Sequence, residues 1–275
     1  MSFSVFALVL VAAAVHAGWN ALIKGADDKM LSTGLVTVMA AGLAAGGLPF
    51  LPLPETALWP YILASTLLQI LYYALVAGAY RRADFSQAYP LMRGTAPLIV
   101  ALVAHFGLGQ PLPGWGWAGV GLLCGGIIAT AGGRRGGPGT GMALLNAFVI
   151  AGYTLVDGMA VRRTGSPLAY TLWIFLLTGG ALGTWTLARY RRRAVDYARR
   201  HWALGLSGGA GTLIAYGIAV WAMGQAPIAL VAALRETSIV FAAGLAVLLF
   251  GERLPRARWL ALGAILGGVA VLRLT

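Results

Sequence analysis

Ten apolar runs succeed one another through the 275 residues, at roughly 3–23, 31–51, 59–80, 86–107, 114–132, 141–161, 167–188, 202–223, 227–250 and 256–273. A helix rising about 1.5 Å per residue needs about 20 such residues to cross a hydrocarbon core of roughly 30 Å. Each run is therefore read as a transmembrane span, and only short Gly-, Pro- or Arg-containing turns remain between them. With 59% apolar and 10% charged residues, the chain has too little charge to cover a soluble domain. The fold class predicted is an all-α integral membrane protein of ten helices. The first run has no basic segment before it, as a secretory signal would, and is expected to stay attached.

The runs are not independent. Residues 86–129 laid over 228–271 bring "MRGTAPLIV" onto "LRETSIVFA" and "GQPLPGWGWAGVGLLCGGII" onto "GERLPRARWLALGAILGGVA". Arg93 falls on Arg235, Thr95 on Thr237, Gly109 on Gly251, Pro113 on Pro255 and Trp117 on Trp259. A second offset places "VHAGWNALIK" of the first span on "VIAGYTLVDG" of the sixth, so that Trp19 matches Tyr153. The chain reads as a duplication: a first five-helix repeat over 1–132, a Gly/Arg linker over 133–140, and a second repeat over 141–275. Five spans is an odd number, so the second repeat must run inverted relative to the first, around a central cavity.

Basic residues test that inversion. The turn "GQPLP" carries no positive charge, whereas its copy "GERLPRAR" carries Arg253, Arg256 and Arg258. Arg81 and Arg82 follow the third span, whereas the copy of that turn, "MGQAP", has none. In all, 15 of the 20 Lys and Arg fall in the turns after odd-numbered spans. Positive residues collect on the cytoplasmic side, so both termini are expected to be periplasmic. The same distribution accounts for the net charge of +12 without a nucleic acid partner. Gly121 and Gly125, with their copies Gly263 and Gly267, are small residues four apart; they predict that the fifth and tenth spans pack the halves together.

Charge inside a membrane is costly and persists where it meets a partner or a polar cavity. Arg93 and Arg235 each stand eight residues into a span, about 12 Å from its start, and inversion makes them bracket the midplane. A guanidinium offers a planar fork of donors suited to a carboxylate or phosphate. Glu236 points about 100° away from Arg235 around the helix and is expected either to meet an arginine of the other half or to serve in coupling or gating. Asp157, close to Arg162 and Arg163, is expected as a solvated interfacial charge, with coupling as the alternative. His16 and Asn20 share a face of the first span beside Trp19. Tyr73, Tyr153 and Tyr216 lie well inside their spans, where a hydroxyl needs a partner. His16, Trp19, Asn20, Tyr73, Arg93, Tyr153, Tyr216 and Arg235 together would line a site for a small zwitterion, its carboxylate on arginine and its ammonium on aromatic faces.

Other chemistry finds little support. Cys124 stands alone and no His/Cys/carboxylate spacing suits a metal, so no cofactor or metal is expected. "GWGWAG" fits a dinucleotide pattern only formally, since it opens a span and follows no strand; "GGRRGGPGTG" lacks the Lys-Ser/Thr of a phosphate loop. There is no HExxH and no Ser/His/Asp spacing, and the chain is not expected to be an enzyme.

The two five-span repeats, "GERLP" after the ninth span and the glycines of "RWLALGAILGGVAVL" in the tenth resemble the drug/metabolite transporter superfamily, specifically its ten-helix EamA-type exporters. The resemblance covers essentially the whole chain, although the first half has Gln110 where the second has Glu252, which is read as a turn residue. It implies an inner-membrane exporter of amino acids and related metabolites that works without ATP, by alternating access. Aromatic and other neutral amino acids suit the site inferred above, and the duplicated unit is expected to act as a monomer. The alternative is a proton-coupled exporter of cationic drugs working through Glu236 or Asp157; two buried arginines disfavour it.

Overall fold

A computed structural model describes residues 1–80, 85–131 and 139–274. Arg81, Arg82 and most of the expected 133–140 linker lie outside the described residues. The described residues form twelve α-helices and no strand. The first seven correspond to the first seven expected spans: α1 (Phe3–Lys24), α2 (Lys29–Gly47), α3 (Trp59–Tyr80), α4 (Phe85–Phe106), α5 (Gly114–Ala129), α6 (Thr140–Val161) and α7 (Pro167–Tyr190). A short helix α8 (Arg192–Arg200) precedes α9 (Trp202–Gln225), the eighth span. The ninth is divided into α10 (Ile228–Arg235) and α11 (Ser238–Phe250), and α12 (Arg256–Arg273) is the tenth. Seven segments are long and apolar enough to cross a bilayer, and Gly114–Ala129 is a shorter apolar helix.

The division of the ninth span falls inside "RETS". Successive N–H groups of Glu236, Thr237, Ile239 and Val240 bond three residues back rather than four, and the Thr237 hydroxyl donates to the Leu234 carbonyl at 2.7 Å. These tighter turns interrupt the α-helical ladder. The matching stretch of α4 stays helical but contains Pro90 and Pro97. Pro97 has no N–H to give to the carbonyl of Arg93. Both aligned segments thus lose regular backbone bonding beside their arginine.

Helices that align in the two halves make matching contacts: α3 packs on α6 and α1 on α9, while α4 packs on α6 and α1 on α11. The pair α5 and α12 makes the most extensive contact of all. The two expected helices meet, but not on the expected glycines. Gly121, Gly125, Gly263 and Gly267 have nothing against them. A Cβ on Gly268 would instead lie 2.7 Å from the Gly119 carbonyl oxygen, and one on Gly126 2.8 Å from the Ala261 carbonyl oxygen. Spacing by four identified a small-residue stripe but chose the one facing outward. The repeat also preserves a turn: Gly109 and Gly251 both have positive φ, 62° and 64°, a backbone conformation costly for side-chain-bearing residues.

Candidate functional site

The polar residues of α3, α4, α6, α9 and α10 converge. Arg93 Nε lies 2.6 Å from Glu236 Oε2, and both side chains are buried. This ion pair joins the two halves of the chain. It explains how a carboxylate adjacent to Arg235 can point elsewhere: the helical step aims Glu236 at α4. One turn before Arg93, Tyr89 places its ring 6.0 Å from the guanidinium carbon.

Arg235 has different surroundings. Its guanidinium carbon sits 5.0 Å from the centre of the Tyr216 ring, the side chain is half-buried, and no carboxylate among the described residues forms an ion pair with it. Cation–π contact of this kind stabilises a guanidinium without neutralising it. Tyr216 turns its hydroxyl to Asp157 and donates a hydrogen bond to Oδ2. Tyr170 donates to Oδ1 at 2.7 Å, and Ser65 of α3 faces the same carboxylate.

Asp157 is 0% exposed, which corrects the expectation of a solvated interfacial charge. Helix α6 turns this residue toward α7 and α9, where Tyr170 and Tyr216 cover it. The arginines thought to solvate it are engaged elsewhere. Arg162 donates to the Met223 and Ala226 carbonyls at 3.1 and 2.7 Å, capping the end of α9. Arg163 donates to the Tyr61 hydroxyl.

An aromatic row extends from Tyr216. Tyr153 lies 6.3 Å from it, Tyr72 6.1 Å from Tyr153, and Tyr73 5.1 Å from Tyr72, measured between ring centres. Phe175 flanks Tyr216 at 5.8 Å. Across from this row, His16 and Trp19 of α1 meet edge to face at 5.2 Å. His16 is within electrostatic reach of both Arg93 and Arg235. The Trp19 indole N–H is buried with no protein acceptor. Asn20 donates instead to the His16 carbonyl, 2.7 Å away on its own helix, so part of its expected donor capacity is used locally.

All ten residues singled out from the sequence can thus be placed. Tyr153, Tyr216, Arg235 and Asp157 form one connected group, Arg93 and Glu236 a second beside it, and Tyr73 joins through Tyr72. His16 lies within electrostatic reach of both arginines, Trp19 lies against Gly211 of α9 and Asn20 bonds within α1. Tyr89, Tyr170 and Ser65 were not singled out. Tyr89 stands four residues before Arg93, a spacing that signals contact on a helix. Tyr170 is the fourth residue of α7 and reads as an ordinary aromatic at a span end. A cavity of about 360 Å³ lies elsewhere, among Gly109, Gln110, Arg162 and the Gln225–Pro227 turn. Its polar groups already serve the backbone, Gln110 Oε1 accepting from the Ile228 N–H at 3.2 Å and Arg162 capping α9. Among the described residues there is no group of His, Cys and carboxylates that could hold a metal ion.

The pattern of the EamA-like transporter family matches residues 137–274, half of the chain. The chain belongs to the EamA-like transporter family. It is accordingly a multi-pass membrane transporter of the drug/metabolite superfamily. No curated protein matches the sequence. A solved crystal structure of another protein, 19% identical, superimposes with a TM-score of 0.74 over 98% of this chain and 95% of the other. At that identity the likeness concerns the fold. Seen as an EamA-like transporter, the chain has its charged pair and its cation–aromatic contact beside the interruption between α10 and α11. In secondary transporters such interruptions place binding groups near the membrane midplane.

Proposed function

We propose that this EamA-like transporter exports amino acids, with aromatic and other neutral ones favoured, and related small metabolites across the inner membrane. Two inverted five-span halves alternate access to a central site, with both termini periplasmic, and the ten-span unit acts as a monomer. The matching contacts of aligned helices and the alternation of basic turns support this arrangement. Arg235 is the observation that carries the substrate reading: a half-buried guanidinium on an aromatic ring, with no carboxylate among the described residues paired to it. A substrate carboxylate supplies the missing partner. Tyr216 and Tyr153 offer faces to its ammonium or side chain, and the Trp19 N–H offers a donor. Arg93, already held by Glu236, ties the halves together rather than anchoring substrate.

One observation favours a second reading, proton-coupled export of organic cations: Asp157 is buried against uncharged hydroxyls. The two are separated by efflux from proteoliposomes preloaded with labelled amino acids or a quaternary cation, with and without a pH gradient. Amino-acid efflux that disappears with Arg235→Ala is expected. Cation efflux that survives Arg235→Ala, needs the gradient and fails in Asp157→Asn would overturn the leading reading.

A further inference from the structure

Between α7 and α9 the chain forms α8, and this helix is fastened to the first half of the molecule. Arg193 pairs with Asp28 at 2.7 Å, the Tyr197 and Ser32 hydroxyl oxygens are 2.6 Å apart, and Tyr197 stacks on His201 at 4.3 Å. Asp28 also caps α2, accepting from the Met30 and Leu31 N–H groups. With Arg193 and Tyr197 turned to α2, a step of about 100° per residue puts Arg192, Val195 and Arg199 on the opposite face. All three are exposed.

This face sits where lipid-covered surface ends. Trp185 and Leu187 on α7 and Trp202 and Leu206 on α9 are exposed apolar residues on helices long and apolar enough to span the membrane. Six arginines occupy 189–200 against one acid, Asp196. Among the described residues only Arg193 of the six has a carboxylate ion pair. Arginine stems lie along apolar surface while their heads reach the interface, and the guanidinium fork fits a phosphate diester.

We propose that the Arg192–Val195–Arg199 face of α8 binds the headgroup of an anionic phospholipid. Val195 lies under the glycerol and acyl end. Through Arg193 and Tyr197, the bound lipid is linked to the start of α2. A zwitterionic headgroup, which brings its own cation to the rim, binds less well.

The test is native mass spectrometry of the protein released from vesicles holding equal phosphatidylglycerol and phosphatidylcholine. Retention of phosphatidylglycerol over phosphatidylcholine is expected, reduced on the order of tenfold by the pair Arg192→Gln and Arg199→Gln. The pair Arg192→Lys and Arg199→Lys retains most of it. Arg256→Gln with Arg258→Gln removes equal charge from the first turn of α12 and leaves retention unchanged. Arg199→Gln alone gives the same loss at smaller size if the double change prevents folding. Equal retention of the two lipids, equal loss in both Gln pairs, or displacement by soluble glycerol phosphate would each overturn the proposal.

Discussion

Arg93 and Arg235 occupy the same position in two copies of one segment, yet the protein treats them differently. Arg93 is buried on Glu236 at 2.6 Å; Arg235 is half-buried on the Tyr216 ring at 5.0 Å, without a carboxylate ion pair among the described residues. The difference comes from one aligned position. Where the second copy has Glu236, the first has Gly94, so a single carboxylate serves two arginines and reaches the one across the interface. Two aligned segments each carry an arginine, and one acidic residue pairs with only the first of them.

The largest effect on transport is expected at Arg235. Arg235→Ala should lower amino-acid efflux from proteoliposomes by roughly 10- to 150-fold, since a charge-assisted pair contributes about 1.5–3 kcal/mol. A comparable efflux loss in Arg93→Ala, with stability intact, would erase the distinction. Instead, Arg93→Ala is expected to cost about 3–5 kcal/mol of stability by leaving the Glu236 carboxylate buried and uncompensated. Thermal unfolding in detergent reads this, and the double change Arg93→Met and Glu236→Met should recover most of it.

A smaller effect tests the seam that holds the two halves together. Gly268→Ala forces a Cβ against the Gly119 backbone and should cost about 1–3 kcal/mol. Gly267→Ala, one residue away with nothing against it, should be nearly silent in the same unfolding measurement. Tyr170→Phe removes one donor from a buried carboxylate and is expected to cost about 1–2 kcal/mol. A Tyr170→Phe protein as stable as the unaltered one would mean that Tyr216 and Ser65 suffice for Asp157.

Most of the helical layout was legible because hydrophobic length is a local property: nine of the ten expected spans correspond to one helix each. The division at Glu236–Thr237 was not, since "RETS" contains neither Gly nor Pro; the interruption depends on a threonine hydroxyl reaching its own backbone. Helix α8 reads in sequence as a charged loop, and its contacts with Asp28 and Ser32 span 165 positions. The arginines and buried tyrosines announced themselves as polar groups in apolar runs. Their pairing did not, because whether Glu236 meets Arg235 or Arg93 depends on helix direction and on a helix from the other half. Asp157 misled for the same reason: its neighbours in sequence are cations, but its neighbours in space are Tyr170 and Tyr216.

The Asp157 cluster also bears on how the chain enters the membrane during synthesis. When α6 leaves the ribosome, its carboxylate has none of its tyrosine donors, because Tyr170 follows 13 residues later and Tyr216 later still. An aspartate in an isolated span raises the apparent free energy of insertion, by up to about 3.5 kcal/mol at the helix centre and by less at Asp157, four residues from the end of α6. Helix α6 is therefore expected to settle only together with α7, as a hairpin. A glycosylation reporter fused after Val161 should show poor insertion of α6 and one fused beyond Tyr190 efficient insertion. Equal insertion of the two fusions would mean that α6 needs no companion.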